Sequence, residues 1–83
     1  MASADWRDLR DHLKKNRKNA TFDELKTLLE AAGFKMHPRN KGSHRAFTKS
    51  GCFWSPLVPE GRGPVLVAYV QKVLKALEEC CDE

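Results

Sequence analysis

The 83-residue chain is expected to fold as one α+β domain. In that fold a three-stranded antiparallel sheet carries two helices on one face, and a short N-terminal helix precedes them. Three observations predict this. Residues 21–33 and 64–77 place apolar side chains at helical spacing. Between them, from Phe34 to Val58, the period falls to two and turn residues interrupt the run. A chain this short supports a single core, so all elements must share it, and an antiparallel sheet with one covered face is the simplest way to do so.

The elements follow in order. Residues 1–18 form a helical extension, with Trp6, Leu9 and Leu13 on a narrow apolar stripe and "KKNRKN" closing it at the helix C-terminus. The core of the domain spans 19–79. "TFDELKTLLEAAGF" opens with a capping box, Thr21 and Glu24, and lines Phe22, Leu25, Leu28, Leu29 and Ala32 on one face. Gly33 supplies its left-handed stop. A first strand alternates Phe34 and Met36 with Lys35 and His37, and Pro38 to Gly42 make a turn. Ser43 to Thr48 form the second strand, "KSG" the next turn, and Phe53 to Val58 the third strand. Pro56 lacks an amide hydrogen, which points to an edge. After the loop "PEGRGP", Leu66, Tyr69, Val70, Val73, Leu74 and Leu77 mark the last helix, with Pro64 in its first turn. Residues 80–83 are acidic at the negative helix end and are expected to fray.

Composition narrows the function. The longest apolar stretch, Val65 to Val70, is too short to cross a bilayer, and no signal pattern opens the chain. A cytoplasmic protein without a membrane partner is expected. Cys52, Cys80 and Cys81 are odd in number and show no CxxC spacing, which argues against a disulfide framework and for a reducing compartment. Cys52, His44 and His37 do not make a four-ligand zinc set, so no metal or other cofactor is expected. A domain without a deep cleft also suggests no small-molecule ligand.

The net charge of +4 is modest, but its distribution is uneven. No Asp or Glu occurs from Ala31 to Pro59, where Lys35, Arg39, Lys41, Arg45, Lys49, His37 and His44 gather. Such a field attracts polyanions, although it also suits a plainly solvated cationic face. Alternation along the second strand sets His44, Ala46 and Thr48 opposite Arg45 and Phe47. With Phe47 under the helices, His44 faces outward, and Arg45 must reach water from near a strand end.

An exposed histidine in a basic, carboxylate-free strand suits one kind of nuclease chemistry. The 2′-hydroxyl of RNA attacks the neighbouring phosphorus, histidine moves the proton, and no metal is required. Metal-dependent cleavage would need clustered carboxylates. His37 is either a second acid–base partner or plain surface. Arg62 either touches phosphate or belongs to a reversing turn. Trp54 offers a stacking platform but is expected in the core. His12 reads as solvated helix surface.

The stretch "NATFDELKTLLEAAGFKMHPRNKGSHRAF", with the later "LVP" and "YVQKVLKAL", resembles the HicA family of bacterial toxin ribonucleases over roughly Leu9 to Leu77. The resemblance implies a double-stranded-RNA-binding-like αβββα fold and cleavage of mRNA by an endoribonuclease of a type II toxin–antitoxin system. It also implies neutralisation by a HicB-like antitoxin. Carried over residue by residue, His44 matches the catalytic histidine, and Gly42 and Ser43 match its flanking motif. Lys35, Arg39, Lys41, Arg45 and Lys49 join Gly42 and Ser43 as expected RNA contacts. Arg45 stands where many members have a second histidine, and Pro56 interrupts what is often "VTVP". The alternatives are a non-catalytic RNA-binding module on the same fold and a protein–protein adaptor, which leaves the basic middle unexplained.

Overall fold

The structure, a computed structural model, describes residues 6–37 and 42–81. Helix α1 spans Trp6–Lys15, α2 Phe22–Ala31 and α3 Val67–Cys81; strands β1, β2 and β3 span Lys35–Met36, His44–Thr48 and Leu57–Pro59. A 3-10 turn, Arg17–Asn19, joins α1 to α2. The sheet is antiparallel throughout, in the order β1-β2-β3, so β2 is central and both edges are short. The α+β class and the antiparallel three-stranded sheet are as the periodicity predicts.

Helix α2 forms where its capping signals place it. The Thr21 hydroxyl accepts from the Glu24 amide, and the Glu24 carboxylate accepts from the Thr21 amide at 3.1 Å. At the other end Gly33 adopts φ 102°. The Phe34 amide then donates to the Leu29 carbonyl and the Gly33 amide to the Glu30 carbonyl, closing the otherwise orphaned carbonyls. A Cβ at Gly33 would stand 3.2 Å from the flexible end of the Lys49 side chain, so the positive φ rather than this contact is what favours glycine there.

The core draws on every layer: Leu13 from α1, Phe22, Leu25, Leu28 and Leu29 from α2, Phe47 and Val58 from the sheet, and Val70, Val73 and Leu77 from α3. No polar side chain among the described residues is buried. Burying a Phe or Leu contributes about 1.5–3 kcal/mol, which is how a small domain offsets its ordering entropy.

Several expectations are corrected. The third strand begins at Leu57, not Phe53, because Phe53 lies 95% exposed and Pro56 takes part only through its carbonyl, which accepts from the Phe47 amide. Trp54 is partly exposed rather than core. Pro64 is not in the first turn of α3; it pairs with Thr21 in an isolated bridge, beside the bond from the Val65 amide to the Ala20 carbonyl. That pairing turns the chain, so Leu66 falls before α3 at 71% exposure while Val65 takes its place in the core. The tail does not fray at residue 80: α3 continues to Cys81, and Cys80 is disulfide-bonded to Cys52 across a Cα–Cα distance of 5.6 Å. The odd cysteine count hid this pair because spacing along the chain says nothing about where a loop meets a helix end. The turn expected over Pro38 to Gly42 and the ends of the chain, residues 1–5 and 82–83, fall outside the described residues, apart from Gly42.

Candidate nucleic-acid site

His44 opens the central strand. Gly42, at φ 56°, takes the left-handed conformation that turns the chain into β2, and Ser43 follows it at the surface. The strand's alternation does what its pattern predicts: Phe47 is fully buried and His44 is exposed. Opposite His44 lies Pro59, at the end of edge strand β3.

Two features around His44 were not anticipated. The Tyr69 ring of α3 stands beside the imidazole, with centroids 6.1 Å apart and a tilt of 49°. The helical stripe identified Tyr69 only as a packing residue, yet it is half-buried and shares the surface with His44. Arg45 has a carboxylate partner as well. Its Nη2 lies 2.8 Å from Glu60 Oε1, and its Nη1 donates to the Gly42 carbonyl at 2.8 Å. Glu60 is one residue past the acid-free stretch, and β2–β3 pairing brings it back to the strand start. The Glu60 amide also donates to the Ser43 carbonyl at 2.6 Å. Arg45 is therefore tied down, and the turn carrying His44 is clipped to β3.

The remaining basic residues are spread out. Lys35 is exposed on β1 opposite Thr48, at the far end of β2 from His44. At about 3.3 Å per residue, four residues separate the two ends by roughly 13 Å. Lys49 lies beyond that end, with Nζ 5.9 Å from the Phe34 ring centroid. The His37 amide donates to the Ala46 carbonyl, which sets exposed His37 beside Ala46, two residues along β2 from His44. Arg62 is exposed in the loop before α3. Arg39 and Lys41 lie outside the described residues. Gly42, Ser43, His44 and Arg45 are thus gathered at one place; Lys35 and Lys49 belong to the other end of the sheet.

A second basic surface was read only as a helix terminus in the sequence. Arg10, Lys14, Arg17 and Lys75 line a groove with Gln71 and Glu78. Among the described residues no three His, Cys, Asp or Glu side chains lie together so as to hold a metal ion, and no helix is long and apolar enough to cross a membrane.

No family model matches the chain, and neither a curated protein nor a solved structure is significantly similar to it.

Proposed function

We propose that the protein is an endoribonuclease that cleaves mRNA without a metal ion, with His44 as its acid–base residue. On this reading it is the toxin of a type II toxin–antitoxin system resembling the HicA family. The observation that carries the reading is the exposed His44 at the glycine-led start of β2, on a strand end clipped by Arg45 and Glu60 and flanked by Tyr69. An open, fixed imidazole suits a long, flexible phosphodiester chain better than a small metabolite. In the step itself the 2′-oxygen attacks the adjacent phosphorus while His44 takes the hydroxyl proton. The P–O5′ bond then breaks, the 5′-oxygen takes a proton from water, and the protonated His44 gives its proton to the hydroxide left behind. The products are a 2′,3′-cyclic phosphate and a 5′-hydroxyl.

The reading places the protein in the cytoplasm with its substrate. Among the described residues nothing covers His44, so control falls to a partner, and a HicB-like antitoxin that covers His44 and meets the basic residues with acid would suffice. The spread of cations supports a second reading, an RNA-binding module without cleavage: Lys35 and Lys49 lie too far from His44 to serve one reacting phosphate, yet they suit a track along the chain.

One experiment separates the two. Purified protein and its His44→Ala variant are incubated with single-stranded RNA in EDTA, and the product termini are analysed. Cyclic-phosphate ends formed by the wild type alone support the nuclease. RNA that is bound but left intact by both proteins supports the module, and activity that needs added magnesium overturns the metal-independent mechanism.

A further inference from the structure

Trp54 does not enter the core; it is 40% exposed and forms one wall of a groove of about 270 Å³. Leu57 and Pro56 continue that wall, and Tyr69, Lys72 and Ala76 of α3 contribute the rest. The three α3 residues fall at i, i+3 and i+7, one stripe of the helix. No carboxylate lines the groove. Tyr69 is shared: it lines the groove, and its ring stands 6.1 Å from His44. The groove thus shares the Tyr69 ring with the candidate reaction site.

We infer that this groove is a nucleobase-binding subsite, taking one unpaired base of the single-stranded RNA whose backbone passes His44. Three properties select that occupant. Half-open aromatic faces leave apolar surface in water that a planar base covers, and every base offers a π-face. Lys72 supplies a cation at the groove, where a phosphate accompanies the base. The volume falls below the roughly 300–1,000 Å³ of drug-sized pockets, so it fits a single small planar group and not a folded segment. The groove's walls come from the β2–β3 loop and α3, and the Cys52–Cys80 bond joins those two segments, holding Trp54 opposite the helix.

The inference rests on the RNA-cleaving reading for its substrate, but its test does not depend on cleavage. A labelled, fully 2′-O-methylated oligoadenylate, which lacks the attacking hydroxyl, is titrated against wild type, Trp54→Ala and Trp54→Phe. A counterpart carrying abasic residues is run beside it. Trp54→Ala should weaken binding roughly 5- to 150-fold, the effect of losing one stacked base. Trp54→Phe, which keeps a ring, should retain most of the affinity while losing the Trp54 quenching expected of wild type on binding. The abasic chain should bind wild type as weakly as the base-bearing chain binds Trp54→Ala. Equal binding by wild type and Trp54→Ala, or equal binding of the two oligonucleotides, would mean phosphate contacts alone and would overturn the subsite. Failure of wild type to cut RNA removes the nuclease reading while leaving this binding result intact.

Discussion

Arg45 and Glu60 hold the start of the central strand: guanidinium Nε and Nη2 converge on one carboxylate oxygen of Glu60, at 2.9 and 2.8 Å. A third nitrogen of the same guanidinium holds the Gly42 carbonyl. The pair thus bridges the glycine turn before His44 and the residue after β3. Charge compensation by Glu60 offsets much of Arg45's attraction for phosphate, so on the proposed reading Arg45 acts as a positioning residue.

Both side chains of this pair are partly exposed, 26% and 49%, so its contribution to stability is about 0.2–1 kcal/mol. Arg45→Gln and Glu60→Gln should therefore stay folded yet both lower the rate of RNA cleavage, and their combination should cost little more than either alone. Salt dependence of RNA binding is the discriminating measurement. Each true phosphate contact adds about 0.7 to the slope on single strands. A slope reduced by that amount in Arg45→Gln would return Arg45 to the set of phosphate ligands.

His44→Ala should abolish most cleavage and leave the fold intact. The residue is exposed, so the stability change should lie within about 0.5 kcal/mol. General acid–base catalysis contributes about 10²–10⁴-fold, which sets the expected loss. Thermal melts and single-turnover cleavage on the same preparation check both halves. Full growth arrest on expression of the variant would contradict the assignment.

Local signals were legible where local physics decides. The capping box at Thr21 and Glu24, the Gly33 stop and the alternation of His44 and Phe47 each depend on a few neighbouring residues, and each formed as expected. Long-range meetings were not legible. Nothing near Arg45 in sequence announces Glu60, and nothing near His44 announces Tyr69, because β-pairing and helix docking bring them together. Trp54 was assigned to the core on size alone; the bonded Cys52 two residues before it and the late start of β3 leave it at the rim. Charge counting likewise treated Lys35, Lys49 and Arg45 as one field, although the sheet separates the first two from the third.

Tyr69 can be tested by two substitutions. If its ring orients the imidazole by packing, Tyr69→Phe should cleave RNA nearly as well as wild type, because the face against His44 is kept. Tyr69→Ala should lose activity and, as a wall of the groove, oligonucleotide affinity too. An aromatic pair of this kind is worth about 0.5–1.5 kcal/mol, so the effect of packing on cleavage should stay near tenfold. A loss in Tyr69→Phe as large as in Tyr69→Ala would instead give the hydroxyl a role in the proton transfers.

The Cys52–Cys80 bond closes a separation of 28 residues between the β2–β3 loop and the last turn of α3. Loop closure on this scale stabilises a fold by about 2–4 kcal/mol, chiefly by restricting the unfolded chain. In a domain this small each kcal/mol moves the melting midpoint by roughly 4–8 °C, so Cys52→Ser should melt well below wild type under non-reducing conditions. Adding a thiol reductant should bring wild type to the variant's midpoint and leave the variant unmoved. Gly42, His44 and Arg45 lie outside the segment the bond closes, and Glu60, inside it, is held to Arg45 and to the Ser43 carbonyl, so cleavage of a minimal dinucleotide should change little on reduction. Binding of longer single strands should weaken, because Trp54 sits two residues from Cys52 and faces α3 across the groove. A reducing environment would then favour the looser form, and oxidation would tighten the protein's hold on RNA. Equal melting midpoints with and without reductant would show that the two sulfurs do not stay joined in solution, and the proposed coupling to Trp54 would fall with them.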